Sequence, residues 1–227
     1  MKKITILIIS LLSLPFAAQA QSGYLKELAQ KGDANAMFEY AKEQLANWED
    51  DDDVEALEWL KKAADKGNAA AMFEIGRQLL YNSVLDGDPA EAYKWIRKAA
   101  DAGDGDAQFR MYSLYNFGES EAGIEEDDAK AMAWLKKAAE SGVAEAQYTL
   151  SNTYISEWSN NFNEAEGVKW LKAAAESGWP EAQYELAVCY RDGKHMAKNK
   201  TEALRWLQAA ANNEHASAIE SLAWRDL

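Results

Sequence analysis

Six near-copies of one nine-residue segment constrain this chain more than any other feature. WLKKAADKG starts at Trp59, WIRKAADAG at Trp95, WLKKAAESG at Trp134 and WLKAAAESG at Trp170. Looser copies are YLKELAQKG at Tyr24 and WLQAAANNE at Trp206. The opening aromatics are 35, 36, 39, 36 and 36 residues apart. A period in this range marks stacked supersecondary units, because one small unit cannot bury its own apolar faces and each copy buries those of its neighbours.

The unit can be read residue by residue. Seven residues before each Trp stands Asp52, Asp88, Asp127, Asn163 or Asn199, all side chains that cap a helix N-terminus. Three residues beyond the cap come Glu55, Glu91, Glu166 and Glu202, at the capping-box position, with Lys130 the exception. Pro89 follows Asp88 at the favoured first helical position. Each Trp therefore lies two turns into a helix. Ala56, Ala92, Ala131, Gly167 or Ala203 precedes it by three residues, and the Ala pairs at 63/64, 99/100, 138/139, 174/175 and 210/211 follow it. Small residues on several sides predict helix backbones in close approach, with the indole filling the gap. Gly32, Gly67, Gly103, Gly142 and Gly178 then end the helix in a left-handed turn. Glu214 holds the Gly place in the last copy, which predicts a less sharp ending there.

A second helix follows each glycine. It carries a fixed alanine at Ala36, Ala71, Ala107, Ala146, Ala182 and Ala218. Two residues on come Phe38, Phe73, Phe109, Tyr148 and Tyr184. Four residues on come Tyr40, Ile75, Met111, Leu150, Leu186 and Leu222, and eight on come Tyr115, Tyr154 and Tyr190 in the central copies. Positions zero, four and eight share one helical face, which is the predicted core face.

The run AQYELAVCY from Ala182, then Asp192-Gly193, then Glu202-Ala203-Leu204-Arg205-Trp206, resembles a Sel1-like repeat, a relative of the tetratricopeptide repeat. Ala146-Gln147-Tyr148-Thr149-Leu150, after Trp134 and Gly142, carries the same resemblance. It implies an all-α fold, a right-handed α-solenoid of stacked antiparallel helix pairs, with five to six pairs over residues 21–227. The chain departs from the family where a glycine-rich turn is expected. Residues 47–51, 83–87, 117–126 and 157–162 are acidic or polar instead.

Residues 1–20 read as a signal peptide. Lys2 and Lys3 precede an apolar run from Ile4 to Leu14, and Ala18-Gln19-Ala20 is a small-residue cleavage site. Gln21 stands where a lipoprotein signal has Cys. The short core looks bacterial, so the expected location is the periplasm or beyond after cleavage near Ala20-Gln21. No second apolar run is long enough for a membrane helix. Loss of Lys2 and Lys3 takes the formal charge from −14 to −16. So acidic a chain repels nucleic acid and anionic membranes, and a protein partner with a basic surface complements it. One cysteine, Cys189, excludes an internal disulfide framework, and two histidines argue against a His-rich metal site.

The resemblance implies a non-enzymatic adaptor or inhibitor that binds a partner protein and needs no cofactor. Its sharper version is an immunity protein that neutralises a periplasm-delivered, lipase-type effector; an envelope signalling regulator is the rival. On the second helix, positions three and six after the fixed alanine point away from the predicted core. They give the partner-binding candidates Glu39, Glu74, Arg77, Arg110, Ser113, Thr149, Asn152 and Glu185. These vary between copies while the core does not, as a specific binding surface requires and as an unconstrained solvated face also shows. Trp158, Phe162 and Trp179 fall outside the repeat pattern and are candidate interface anchors. The Asn116 to Glu126 connection is three residues longer than the common spacing, the kind of loop that carries function. The acid runs 49–53 and 125–128 end at helix N-caps, where the helix dipole favours them.

Asp101, Asp104 and Asp106 lack calcium-loop spacing. No G-x-S-x-G, phosphate-binding loop, H-E-x-x-H or C-x-x-C motif is present. A hydrolase is the least favoured reading; it would rest on Cys189 with His195 as its base. Trp134→Ala should cost about 3–5 kcal/mol, as truncation of a buried aromatic does. A denaturant titration that finds under about 1 kcal/mol would remove Trp134 from the core.

Overall fold

The computed structural model describes residues 14–46, 50–81, 88–121, 123–156 and 159–223. The chain forms α1 (Leu14–Gln30), α2 (Ala34–Ala46), α3 (Asp50–Asp65), α4 (Ala69–Tyr81), α5 (Pro89–Asp101) and α6 (Gly105–Phe117). There follow α7 (Asp128–Glu140), α8 (Ala144–Ile155), α9 (Glu164–Glu176), α10 (Pro180–Asp192), α11 (Lys200–Asn212) and α12 (Ala216–Ala223). Among the described residues there is no strand beyond one bridge between Glu119 and Ile124. Extensive contacts join each helix to the next in sequence, so the fold is the expected α-solenoid.

The pairing within the stack differs from the sequence reading, which groups each Trp helix with the helix after its glycine. The more extensive packing is between α2 and α3, α4 and α5, α6 and α7, α8 and α9, and α10 and α11. Small residues explain this. A methyl group on Gly76 of α4 would stand 2.6 Å from the Ile96 side chain and 2.9 Å from the Ala92 carbonyl oxygen of α5. One on Gly167 of α9 would overlap the Ile155 side chain and lie 3.2 Å from the Ser151 carbonyl oxygen of α8. Ser151 Oγ donates to the Gly167 carbonyl at 2.8 Å across the same contact. Connections of unlike sequence close these pairs alike. The Asp127, Asn163 and Asn199 amides donate to the Tyr115, Tyr154 and Tyr190 carbonyls at 2.8, 2.8 and 2.9 Å. The connections before Asp127, Asn163 and Asn199 therefore keep the pair geometry through one backbone hydrogen bond each.

The deepest side chains follow the period. Leu60, Ile96, Leu135 and Leu171, each the residue after the Trp, are fully buried, as are Ile75, Met111, Leu150 and Leu186 at position four of the second helix. All six fixed alanines are buried as expected. The repeated Trp is core in two repeats and a boundary residue in three. Trp134 and Trp206 are 6% and 8% exposed, Trp59, Trp95 and Trp170 are half-buried, and Tyr24 is 61% exposed. An indole has a polar N–H as well as an apolar body, and its partners here are charged. Lys62, Lys98 and Lys137 lie 4.3, 4.2 and 4.0 Å from the Trp59, Trp95 and Trp134 ring centres.

Asp88, Asp127, Asn163 and Asn199 cap their helices as read, accepting from amides at 2.9, 2.9, 3.2 and 3.1 Å. Helix α3 starts at Asp50, two residues before its expected cap at Asp52. The capping-box glutamates reach forward. Glu55 and Glu91 accept from the Trp59 and Trp95 indoles at 3.2 and 3.4 Å, while Glu166 and Glu202 pair with Lys169 and Arg205. Caps absent from the sequence reading start the second helices, where Asp33, Asn68 and Asp104 accept from the alanine amides three residues on at 2.9, 2.8 and 2.8 Å.

A buried glutamine follows the fixed alanine in three successive second helices. Gln108, Gln147 and Gln183 donate through Nε2 to the Ala100, Ala139 and Ala175 carbonyls of the preceding helix at 3.3, 3.2 and 3.0 Å. Their Oε1 atoms accept from Ser141, Ser177 and Asn213 of the next repeat at 2.8, 2.9 and 2.9 Å. Each amide thus ties three helices together.

The predicted cleavage point at Ala20-Gln21 falls inside α1, and residues 1–13 of the signal reading lie outside the described residues. From Leu25 onward α1 packs on the first core cluster through Leu25, Leu28 and Ala29. No helix among the described residues is long and apolar enough to cross a membrane.

Glu214 corrects one expectation. It adopts a left-handed φ of 64° and closes its helix as the glycines do, with Glu214 N to Ala211 O at 3.1 Å and His215 N to Ala210 O at 3.0 Å. The ending is as sharp as the others and is strained. Glu214→Gly should stabilise the protein by about 0.5–1 kcal/mol, which a thermal melt would read as roughly 1–4 °C. An unchanged or lower Tm would show that other contacts offset the strain.

Candidate protein-binding surface

The second helices present their variable positions unevenly. Glu39 is exposed and pairs with Lys42 at 3.3 Å. The Glu74 side chain is only 13% exposed, held by Arg77 at 2.9 Å and Gln78 at 2.6 Å. Arg110 is half-buried beside the Tyr93 phenol, and half-buried Ser113 donates to the Phe109 carbonyl at 3.3 Å. Thr149 and Glu185 are half-buried and Asn152 is exposed. Position three is therefore not an open face beyond the first repeat.

Three candidates come together in one place. Thr149, Asn152 and Trp179 line a groove of about 690 Å³ with Glu145, Tyr148, Thr153, Ser156, Ser159 and Glu181. One wall is α8 and the other is the start of α10, where Trp179 is the N-cap residue and Pro180 sets the first turn. Tyr148 binds the parts together. Burial raises its phenol above the ordinary value, a hydrogen bond with Asn152 acts downward, and Glu185 and Glu181 act upward again. So Glu185 also reaches the groove wall. Glu39, Glu74, Arg77, Arg110 and Ser113 belong to earlier repeats and do not line this groove. Phe162 is 49% exposed in the α8–α9 connection, and Trp158 lies outside the described residues.

The reading of positions three and six misses Glu145, Tyr148 and Glu181. Their signal is the repeated Glu-Ala-Gln-Tyr at 145–148 and 181–184, in which the residue before the fixed alanine is acidic. A tighter cavity of about 450 Å³ lies between α10, α11 and α12, with Leu204 and Leu207 on its wall. Leu207 holds the place that Leu60, Ile96, Leu135 and Leu171 fill in the core. That cavity is the stacking face of the last helices, not a separate site.

Cys189 is 3% exposed, and burial, with Glu185 nearby, pushes its thiol up to about 11. Thiolate is scarce at neutral pH in such a site. His195 is engaged elsewhere, its Nδ1 lying 2.6 Å from Glu164 Oε1. The described residues contain no group of three or more His, Cys, Asp or Glu side chains able to hold a metal ion.

The Sel1 repeat model matches residues 34–68, 69–104, 105–143, 144–179 and 180–215. The chain belongs to the Sel1 repeat family. The matched unit starts at the second helix and ends after the following Trp helix, the same pairing that the packing shows. A Sel1 repeat protein from Oxalobacter formigenes superposes with a TM-score of 0.71 at 24% identity, over 89% of this chain and 87% of that one. A protective antigen of uropathogenic Escherichia coli with the SLR fold gives 0.65 at 26% identity, over 87% of this chain but 42% of that one. An immunity protein from Pseudomonas aeruginosa gives 0.58 at 17% identity, over 90% and 83%. No curated protein matches the chain.

Native protein treated with iodoacetamide at pH 8 should leave Cys189 largely unmodified, and urea should expose it to rapid alkylation. Fast modification of the folded protein would contradict the buried, protonated thiol.

Proposed function

We propose that this Sel1 repeat protein is a non-enzymatic binding module that holds a basic-surfaced protein partner against its second helices. The observation that carries the reading is the convergence of Thr149, Asn152 and Trp179, three variable or out-of-pattern residues, in one groove. A repeat scaffold fixes its core by stacking and leaves such positions free to specify a partner. The groove mixes hydroxyl, amide and carboxylate groups with two aromatic rings, a composition suited to a peptide surface.

The chain is exported in this reading. Residues 1–20 are removed, and α1 keeps its packing through Leu25, Leu28 and Ala29, all beyond the cleavage point. The finer version is inhibition of an effector that arrives in the periplasm. The Pseudomonas aeruginosa immunity protein supplies a precedent for the scaffold at 17% identity, and the acidic charge supplies the complement to a basic target.

The test is affinity capture from the native periplasm with cross-linking, comparing wild type with Asn152→Arg, a change at an exposed position. A single basic partner captured by wild type and lost with Asn152→Arg supports the proposal. Equal capture by both proteins would place binding elsewhere on the solenoid.

A further inference from the structure

The groove between α8 and α10 has an unbalanced charge. Glu145 and Glu181 line it, Glu185 reaches Tyr148 on its wall, and no Lys or Arg is among its described lining residues. Earlier repeats treat the same surface differently. There the acid at position three is neutralised by a base three residues on, Glu39 by Lys42 at 3.3 Å and Glu74 by Arg77 at 2.9 Å. In α10 the acid Glu185 remains and Val188 takes the place of the base, while in α8 both positions are neutral, Thr149 and Asn152. Glu145, Glu181 and Glu185 make no ion pair with the described residues.

A second observation is independent of charge. Trp179 Nε1 is buried with no hydrogen-bond partner, at a ring that borders the groove. An indole N–H is a donor only, and a buried donor without an acceptor costs about 1–3 kcal/mol. The site therefore offers carboxylates without a cation and a donor without an acceptor. A peptide segment bearing a cationic side chain supplies the missing charge.

We infer that this groove receives an arginine side chain carried on an extended segment of the partner. The inference rests on the protein-binding reading above and names its chemistry. A guanidinium is planar and stays charged when desolvated. It forks onto carboxylates and stacks on aromatic rings such as Tyr148 and Trp179. The ammonium of lysine is more strongly hydrated and fits such a site less well. Peptide carbonyls beside the arginine accept from the hydroxyls of Thr149 and Ser156. The groove's volume of about 690 Å³ holds such a side chain and its flanking backbone.

The probes are N-acetylated, C-amidated Gly-Ser octapeptides with a central arginine, lysine or glutamate, titrated against the Trp indole N–H resonances. The arginine peptide should shift one indole signal, assigned through Trp179→Phe, and bind about fivefold more tightly than the lysine peptide. The glutamate peptide should not bind. Glu181→Gln with Glu185→Gln should weaken the arginine peptide about tenfold while leaving the Tm in place. Lys94→Gln, on α5 outside the groove, should change nothing. Equal binding of arginine and glutamate peptides, no binding of the arginine peptide, or full affinity in the double variant would each overturn the inference. If the arginine peptide fails while capture of the partner still depends on Asn152, the arginine assignment falls and the protein-binding reading stands.

Discussion

The buried amides of Gln108, Gln147 and Gln183 set the geometry of the central stack. Each donates to a carbonyl near the end of the preceding helix and accepts from a side chain of the next repeat. The Ala100, Ala139 and Ala175 carbonyls also accept from the Gly103, Gly142 and Gly178 amides, so an apolar residue there would remove their second hydrogen bond and, with it, the acceptor that holds the next repeat. The satisfied amide fixes both spacing and register, because its donor and acceptor point at different repeats. Met37 and Met72 occupy the same place in the first two units, where apolar packing replaces the strut. Directional hydrogen bonding thus enters where the candidate groove lies. Gln147 joins α8 to its flanking Trp helices and Gln183 does the same for α10, so the two walls of the groove are held by the same device.

The close contact of α8 with α9 supports one of those walls. Gly167 allows α9 to approach the Ser151 carbonyl, and Ser151 Oγ returns a hydrogen bond to the Gly167 carbonyl. Helix α8 is therefore clamped along the side facing its Trp helix, and its other side carries Glu145, Tyr148, Thr149 and Asn152. A rigid backbone behind variable side chains is what allows a few polar groups to select a partner. The flanking connections differ in length and sequence, yet each closes with the same amide-to-carbonyl bond onto a position-eight tyrosine. Sequence drift in the connections is absorbed without moving the helices.

Much of this architecture was legible before any coordinates. Period, Asp and Asn caps, glycine stops and the alanine face each have a local physical cause, and they recur along the chain, the caps and glycines five times and the alanine six. What was not legible depends on contacts between units. The Trp reads as core, and Trp134 and Trp206 are buried there, but at Trp59 and Trp95 the N–H bonded to a glutamate and the Lys three residues on hold the ring at the boundary while the plainer Leu or Ile beside it goes inside. The pairing of helices reads wrongly because the glycine turn is the conspicuous connection, whereas close approach is set by Gly76 and Gly167 inside helices. Glu214 lacks the residue type its backbone angle favours, so the sequence alone predicts the wrong ending. Of the site, Thr149, Asn152, Trp179 and Glu185 were legible as variable or out-of-pattern residues. Their convergence was not, because it requires the offset between α8 and α10.

Charge explains how a site can arise in a repeat whose copies are otherwise alike. Stacking fixes the alanine, the residue four on, and the small residues of the Trp helix, since any change there disturbs two neighbours at once. Positions three and six carry no such constraint. When both hold a matched acid and base, as in α2 and α4, the pair satisfies itself and the surface is closed to partners. Removing the base while keeping the acid costs the fold little, because an exposed ion pair of this kind contributes only about 0.2–1 kcal/mol. It leaves a carboxylate whose best counterion lies on another molecule. In α10, where Glu185 is kept and Val188 stands in place of the base, the surface has lost that internal partner.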